Sequence, residues 1–403
     1  MLSIKESKSS LLAGKKITIC VAGSVAVVRV PELARELIRH GANVRIVASD
    51  AALELVGEAL LEWASENPVV DSLTGKIEHV ELGAYADLVL VCPATANTIS
   101  KIAMGIDDTP VTSTVTCAIG ADKPVVVVPA MHKSMYTHPI VADNLARLEA
   151  INARVVRPKL AEGKAKLAGN GEITEIVIAT LTKKDLAGKK VVVAAGPTYE
   201  AIDAVRGITN LSTGKMGIEM AKAAHRRGAN VVLVYGPGKH EPPEWISTTR
   251  VLSADEMAEA VKKEMNGADA LISPAAAADY RPAVMFTEKI ESSEEMQLAL
   301  VPTSKIVTEA RALFPDKVIV GFKLETENLA ERAYKKLLED GLDLIVANHA
   351  SAIGADEVDV HLIDKGGRVT SFSGSKTQIA GFVLDAVVGL MPARQEIEDK
   401  TIS

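Results

Sequence analysis

The sequence predicts an α/β protein made of two doubly wound, Rossmann-like domains. Short apolar runs rich in β-branched residues alternate with amphipathic stretches, a pattern typical of parallel strands covered by helices on both faces. The opening of this pattern occurs twice. Leu12–Lys16 and Leu186–Lys190 both read LAGKK, and Gly41–Val44 and Gly228–Val231 both read GANV. Two β-α-β openings in one chain indicate two domains of this kind.

The first domain is predicted to span residues 1–182. Short apolar runs predict its strands, and longer stretches with helical periodicity predict the helices between them. The predicted strands are Ile17–Val21, Asn43–Ala48, Asp87–Cys92 and Val125–Pro129, and the predicted helices are Pro31–Arg39, Thr95–Gly105, Pro139–Ile151 and Ile173–Leu181.

The second domain is predicted to span residues 190–403, after a charged boundary at Lys183–Lys190. Gly14 and Gly188, before the first strand of each domain, are 174 residues apart, whereas Gly41 and Gly228, before the second strand, are 187 residues apart. The opening of the second domain is therefore 13 residues longer than that of the first. The surplus lies around Ala201–Gly214, after a first strand, where doubly wound sheets bind ligands. Later strands are predicted at Ala270–Ser273, Val318–Phe322 and Leu344–Asn348, followed by a hairpin over Val360–Phe372 that turns on Gly366 and Gly367.

Composition excludes several classes of partner. The 403 residues include 45 Lys and Arg against 52 Asp and Glu, a formal net charge of −7, and 3% aromatic residues. Such a chain lacks the basic surface and stacking platforms for nucleic acid, and it indicates no membrane partner. Cys20, Cys92 and Cys117 are an odd number of cysteines in or beside apolar runs. Reduced, buried thiols and the lack of a signal-like N-terminal segment predict a cytoplasmic protein.

Three turns of the first domain follow predicted strands and offer polar groups to a ligand. Gly23 and Ser24 lie between a strand and a helix, an arrangement that suits a phosphate. The full G-x-G-x-x-G is missing, so a dinucleotide is not indicated. Pro93–Thr98 reads PATANT and Pro129–Met135 reads PAMHKSM, and both lie at the sheet edge where ligands bind.

Two further motifs, His79–Leu82 and Gly105–Asp108, lie between these turns. In this order the five motifs resemble those of the FMN-dependent cysteine decarboxylases, the family of phosphopantothenoylcysteine decarboxylase. The resemblance implies a flavodoxin-like FMN domain with His79 as catalytic base. An isolated histidine would instead be interpreted as a core residue at the start of a strand, but five ordered motifs favour catalysis. The resemblance further implies substrate binding by Asn97, Met131 and His132, and FMN binding by Gly23, Ser24, Ser49, Thr95 and Thr112.

The first domain departs from this family at two places. His132 stands where most members carry Asn, although an imidazole can still donate a hydrogen bond to a carboxylate. The family's substrate clamp contains a cysteine that donates a proton, whereas Lys159–Ile173 contains none. Lys166 lies near that place and is assigned no role. No metal ligands are assigned, because no histidine pair has a recognisable ligand spacing.

The long loop of the second domain is not a P-loop. Gly207 and Gly214 enclose six residues rather than four, and Met216 replaces the Ser or Thr that would bind Mg²⁺. Ser212, Thr213 and Gly214 still precede a helix and predict an anion site.

Four further segments make the second domain similar to phosphopantothenate–cysteine ligase: Ser273–Pro282 (SPAAAADYRP), Thr287–Ile290, Gly321–Lys323 and Ala347–Asn348. This resemblance implies catalysis by Lys289 and Asn210, and binding of substrate or nucleotide by Arg206, Ala275, Asp279, Phe322 and Lys336. Lys289 alone would be interpreted as a solvated surface lysine. Asp340 stands where the family has a second phosphate-binding lysine.

Both resemblances together cover about Lys15 to about Val388, in the decarboxylase-then-ligase order of bifunctional coenzyme A biosynthesis enzymes. They imply ligation of 4′-phosphopantothenate to L-cysteine with Mg²⁺ and CTP, or ATP in some lineages, then decarboxylation with FMN. They also imply a homo-oligomer, a dodecamer of flavin-domain trimers and ligase-domain dimers. Two alternatives stay open: a non-catalytic FMN-binding regulatory protein, which the missing clamp cysteine favours, and a nicotinamide-dependent reductase, which the absent G-x-G-x-x-G disfavours.

Overall fold

A computed structural model describes residues 4–291, 297–325, 327–349 and 357–391. The chain divides into two units, Met1–Thr182 and Lys183–Ser403. Each unit contains one large, mainly parallel sheet with helices between its strands. The predicted α/β class with two doubly wound domains is confirmed.

The first unit has a six-stranded parallel sheet in the order β3-β2-β1-β4-β5-β7 and a small antiparallel sheet in the order β6-β9-β8. Its strands are β1 Lys16–Val21, β2 Asn43–Ala48, β3 Val69–Val70, β4 Leu88–Ala94, β5 Val125–Pro129, β6 Met131–His132, β7 Arg154–Val155, β8 Lys159–Ala161 and β9 Lys164–Lys166. A 3₁₀ helix, Val25–Arg29, precedes the helices α1 Val30–Arg39, α2 Asp50–Val56, α3 Glu58–Ser65, α4 Glu78–Tyr85, α5 Ala96–Met104, α6 Pro110–Gly120, α7 Lys133–Tyr136, α8 Pro139–Ala150 and α9 Asn170–Leu181.

The order of the main strands is flavodoxin-like. Without the two-residue edge strand β3, the sheet reads 2-1-3-4-5, and the order reverses between β1 and β4. Alternate side chains of β1 enter different cores: Ile17, Ile19 and Val21 pack on one face of the sheet, and Cys20 packs on the other. Burial on both faces explains why the strands read as continuous apolar runs.

The second unit has an eight-stranded sheet in the order β14-β13-β10-β15-β18-β19-β20-β21, parallel from β14 to β19. Its remaining strands, β11 with β12 and β16 with β17, form two antiparallel pairs. The strands are β10 Lys190–Ala195, β11 Tyr199–Ala201, β12 Gly207–Thr209, β13 Asn230–Tyr235, β14 Ser247–Arg250, β15 Ala270–Ser273, β16 Tyr280–Pro282, β17 Leu300–Pro302, β18 Val318–Glu325, β19 Leu344–His349, β20 Glu357–Asp364 and β21 Val369–Ser375. The helices are α10 Lys215–Arg226, α11 Ala254–Met265, α12 Ile306–Leu313, α13 Leu329–Glu339 and α14 Lys376–Leu390.

The predicted strands and the terminal hairpin of the second unit are confirmed, and the hairpin of β20 and β21 extends the sheet antiparallel. The surplus residues of the long loop are not irregular, because β11 and β12 fold them into a small hairpin. The order of the large sheet reverses between β10 and β15, so ligand-binding groups are expected after these two strands.

The four predicted helices of the first domain are confirmed as α1, α5, α8 and α9. The cysteines agree only in part with the expectation that all three are buried. Cys20 and Cys92 are buried, whereas Cys117 is only partly buried. Burial raises the pKa of the Cys92 thiol to about 12 and that of the Cys20 thiol further still, which leaves both protonated and unreactive at neutral pH. Among the described residues, no helix is long and apolar enough to cross a membrane.

Candidate functional site

The carboxyl ends of β1, β2, β4 and β5 form the candidate site of the first unit. After β1, the Ser24 hydroxyl caps the 3₁₀ helix by accepting from Ala26 N at 3.4 Å, and it lies 3.4 Å from the Ala130 carbonyl that it donates to. A Cβ on Gly23 would lie 2.5 Å from the Ala51 Cβ. Only glycine therefore fits where the first turn meets the segment that follows β2.

Five buried side-chain atoms in this unit have no partner among the described residues, and two of them, Ser49 Oγ and His79 Nδ1, belong to predicted site residues. Ser49 directly follows β2 and precedes α2 without capping it. His79 lies in the first turn of α4, so the alternative of a core residue at the start of a strand is wrong. Since α4 leads back to the start of β4, its first turn lies toward the carboxyl edge of the sheet. Unsatisfied buried polar atoms are rare, and these two suit a polar ligand at that edge.

Thr95, Asn97 and Thr112 lie at the starts of two helices. Thr95 caps α5 by accepting from Thr98 N at 3.2 Å, and Asn97 is exposed in the first turn. The Thr112 hydroxyl accepts from Thr109 N at 3.0 Å and donates to Thr109 O at 3.1 Å. Thr112 thus completes the capping box of α6, and its contact with a cofactor stays a prediction.

The segment without a clamp cysteine lies directly beside the PAMHKSM motif. Its strand β9 pairs with β6, so Ala165 is opposite Met131 and Lys164 is opposite His132. His132 Nδ1 accepts from Ser134 N at 3.4 Å, which leaves Nε2 as the ring nitrogen that can donate. Lys166 pairs with Glu162 at 2.8 Å.

The second unit contains a cavity of about 390 Å³ after β10 and β15. Three lysine side chains and no carboxylate contribute to its described lining, and one of them, Lys323, pairs with Glu325 at 3.3 Å. The excess of positive side chains favours an anionic ligand. The residues that bear on its chemistry are Asn210, Ser212, Lys215, Ala275, Phe322, Lys323, Asn348 and Lys376.

Hydrogen bonds fix Asn210 at the wall of this cavity. Its Nδ2 donates to the carbonyls of Ala276 and Ala277, both at 3.0 Å. Both N–H groups of the amide are therefore used by the protein, and the amide oxygen is the group left for a ligand. The Thr198 hydroxyl accepts from Ala278 N at 3.0 Å and fixes the same segment to the turn after β10.

The structure brings three of the predicted ligase residues, Asn210, Ala275 and Phe322, to the cavity, and it places four others outside the lining. Three of these four residues are in ion pairs: Asp279 with Lys305 at 2.6 Å, Lys336 with Asp340 at 2.8 Å, and Arg206 with Asp203 at 2.7 Å. The fourth, Lys289, is exposed. Their roles stay predictions.

Sequence reasoning missed Lys376, the first residue of α14 and a nearly buried residue of the lining. Ser375 and Gln378 form a capping box at this helix, and S-x-x-Q before an apolar run was the available signal. Thr377 donates to Glu219 at 2.9 Å, which ties the start of α14 to the first turns of α10. Two helix N-termini, both favourable to anions, therefore begin at the cavity.

Among the described residues, no group of three or more His, Cys, Asp or Glu side chains has the geometry of a metal site. Mg²⁺ in nucleotide-dependent enzymes is held largely by substrate phosphates and water, with one or two carboxylates. The lysine-lined cavity is compatible with a metal that arrives on a nucleotide.

Comparison with known proteins identifies both units. The family model described as Flavoprotein matches residues 5–182, and the one described as DNA/pantothenate metabolism flavoprotein C-terminal domain matches residues 186–390. The coenzyme A biosynthesis bifunctional protein CoaBC of Thermococcus kodakarensis is 45% identical over 90% of this chain and 92% of its own length. The protein of that name from Methanocaldococcus jannaschii is 37% identical over 96% of this chain and 97% of its own length.

A crystal structure of the C-terminal domain of a CoaBC protein is 33% identical to this chain, with a TM-score of 0.46. The match covers 52% of this chain and 98% of the chain in that structure. The two CoaBC relatives align with this chain through both units. The chain therefore belongs to the family of bifunctional coenzyme A biosynthesis proteins, with a flavoprotein decarboxylase domain followed by a ligase domain.

Proposed function

We propose that the second domain joins 4′-phosphopantothenate to L-cysteine at the expense of CTP, and that the first domain decarboxylates the 4′-phosphopantothenoylcysteine so formed to 4′-phosphopantetheine with FMN. The observation that carries the proposal is similarity to bifunctional relatives over nine-tenths of the chain, through both domains. The anion-binding character of the second cavity supports a nucleotide there. Neither the regulatory protein nor the nicotinamide-dependent reductase is favoured by these relatives.

The ligase reaction needs an activated carboxyl group. The phosphopantothenate carboxylate attacks the α-phosphorus of CTP, the bond to the β-phosphate breaks, and pyrophosphate leaves. The cysteine amine then attacks the acyl carbon, loses a proton and displaces CMP. Charge accumulates on phosphate oxygens in the first step, and lysines and helix N-termini stabilise such charge when they are fixed in advance. We assign this role to Lys289, with Lys336 on the triphosphate.

The remaining ligase residues bind and orient the reactants. The free amide oxygen of Asn210 suits the acyl group during activation, and Phe322 offers an apolar surface to the base. Asp279, Arg206 and Ala275 are assigned to substrate or nucleotide binding. Mg²⁺ enters with CTP and neutralises phosphate charge.

In the first domain, FMN supplies the two-electron chemistry that lets the cysteinyl carboxylate leave as CO₂. The unpartnered Ser49 hydroxyl and the tight turn at Gly23 fit a polar, phosphorylated cofactor at this edge, together with Ser24, Thr95 and Thr112. His79, whose Nδ1 has no partner in the described chain, is assigned as the base that accepts a substrate proton. Asn97, Met131 and His132 are assigned to the substrate.

The assembly and location belong to the same proposal. We expect a homo-oligomer, a dodecamer, in the cytoplasm, with no nucleic acid or membrane partner. Light scattering that gives the mass of a single 42.6 kDa chain at micromolar concentration would contradict the assembly.

The experiment that tests the function uses the purified full chain. Incubation with phosphopantothenate, L-cysteine, Mg²⁺ and CTP is expected to release pyrophosphate and CMP and to yield 4′-phosphopantetheine, and the protein is expected to show flavin absorbance. A parallel reaction with ATP measures the nucleotide preference. Flavin bands without product would favour a binding protein, and no flavin bands after FMN addition would remove the decarboxylase.

A further inference from the structure

Asp203 is a buried carboxylate that the proposed mechanism does not use. It lies in the turn between β11 and β12, and its side chain is 0% exposed. Its Oδ1 accepts from Val205 N and Arg206 N at 2.8 Å, and its Oδ2 accepts from Arg206 Nε at 2.9 Å and from Ile290 N at 3.1 Å.

The last of these bonds connects two distant segments. Ile290 follows Lys289 directly, and it is 87 residues from Asp203. The Arg206 guanidinium closes the same connection by donating to the Ile290 carbonyl. Both backbone groups of Ile290 are therefore held by the Asp203–Arg206 pair. A second bond, from Phe286 N to Ile202 O at 2.9 Å, holds the start of the same segment.

The pair is also close to Asn210 along the chain. Arg206 is followed by β12, Gly207–Thr209, and then by Asn210, which is fixed at the cavity wall. Lys289 and Asn210, which the proposed mechanism requires, thus lie on two segments far apart in sequence that are both connected to the Asp203 carboxylate. Burial alone would raise the pKa of Asp203, but three backbone N–H groups and the Arg206 guanidinium hold it well below its usual range. The carboxylate is ionised at neutral pH.

We propose that Asp203 is a positioning residue of the ligase reaction, which fixes the segment of Lys289 relative to Asn210 through Ile290 and Arg206. This inference rests on the proposed ligase function. Asp203 touches neither substrate nor reacting atoms, and it acts only by placing Lys289. Loss of that placement by about 1 Å is enough to slow a reaction about a hundredfold.

A double-mutant cycle tests the inference, with pyrophosphate release measured with phosphopantothenate and CTP but without cysteine. Asp203→Asn keeps the shape of the side chain and removes its charge and one acceptor. We expect about a hundredfold slower release in Asp203→Asn, and less than about twofold further loss when it is added to Lys289→Gln. Additive losses in the double variant would overturn the role, because a structural effect does not depend on Lys289.

Asp343→Asn is the matched control. Asp343 also accepts from a backbone amide, Ile319 N at 2.8 Å, and pairs with Arg311 and Lys365, but it precedes β19 at the opposite edge of the sheet. We expect it to lower the melting temperature and leave the rate per folded protein unchanged. An equal rate loss in this control would overturn the specific role of Asp203.

If Asp203→Asn does not fold, Arg206→Lys replaces it, because lysine keeps the charge and cannot span Asp203 and Ile290 O. Its rate is measured at saturating phosphopantothenate and CTP, because Arg206 is also assigned to substrate or nucleotide binding. It too must lose little in the Lys289→Gln background. Wild-type protein that releases no pyrophosphate would refute the ligase proposal itself, and a Lys289→Gln variant with the wild-type rate would refute the role of Lys289.

Discussion

The two domains hold their candidate site residues in different ways. In the first, two of the predicted residues present buried atoms that no described group satisfies, Ser49 Oγ and His79 Nδ1. In the second, predicted residues are paired within the protein: Asn210 with two carbonyls and Arg206 with Asp203. Ser49 and His79 thus leave buried polar atoms available to a bound cofactor, whereas Asn210 and Arg206 are held by internal contacts before any ligand arrives.

The internal pairs of the second domain differ in how readily they exchange. Asp279 and Lys305 are both well exposed, and exposed pairs contribute at most about 1 kcal/mol, so a nucleotide can replace this contact. Asp340, the partner of Lys336, is nearly buried, and a buried carboxylate that loses its cation is costly. We therefore expect Lys336 to keep its contact with Asp340 when it binds a phosphate group.

The largest effect is expected from His79→Asn. General acid or base catalysis contributes up to about ten-thousandfold, and we expect CO₂ release from supplied 4′-phosphopantothenoylcysteine to fall about a thousandfold. The ligase product should still accumulate. His138→Asn is the control, because His138 is exposed and its side chain does not cap the helix that follows. Loss of both activities in folded His79→Asn would show that the two sites are not independent.

The next effect is that of Lys289→Gln in the second domain. Removal of one fixed charge from a transition state costs about a hundredfold or more, which we expect for acyl-nucleotide formation measured as pyrophosphate release. Flavin content and decarboxylation should not change. Lys335→Gln, at a position whose side chain is 78% exposed, controls for the loss of one surface charge. A wild-type ligase rate in Lys289→Gln would leave the ligase assignment dependent on Asn210 and Asp279.

A smaller effect is expected from Ser49→Ala. A hydroxyl that bonds FMN contributes about 1 kcal/mol, so FMN affinity should fall several-fold, measured by flavin fluorescence titration. The apoprotein should not lose stability, because the removed oxygen has no partner in the described chain. Ser65→Ala is the opposite case. Ser65 is buried and donates to Leu61 O at 3.0 Å, so its loss should lower stability and leave FMN affinity unchanged.

The sequence predicted the fold well because strand and helix patterns are local. All seven predicted strands are observed with bounds within three residues of the prediction, and the terminal hairpin turns where its glycine pair lies. Local motifs also allowed Ser24 and Asn210 to be proposed as site residues, and their roles stay predictions. Lys376 and the Asp203–Ile290 bond could not be found in this way, because they depend on contacts between residues far apart in the chain.

The smallest effects are expected from two helix caps, one in each domain, and they test whether the domains unfold separately. Thr109 with Thr112 and Ser375 with Gln378 both form capping boxes, at α6 and α14. Removal of a capping hydroxyl costs about 1 kcal/mol, which lowers the melting temperature of a domain of this size by about 2–4 °C.

In calorimetry with FMN present, Thr109→Ala should shift only the transition that releases flavin, and Ser375→Ala only the other. Thr109→Ala also removes a partner of the Thr112 hydroxyl, so a change in FMN affinity beyond the loss of stability would support Thr112 as a cofactor ligand. A single transition shifted by both substitutions would show that the two domains unfold as one cooperative unit, against the separate cores seen in the fold.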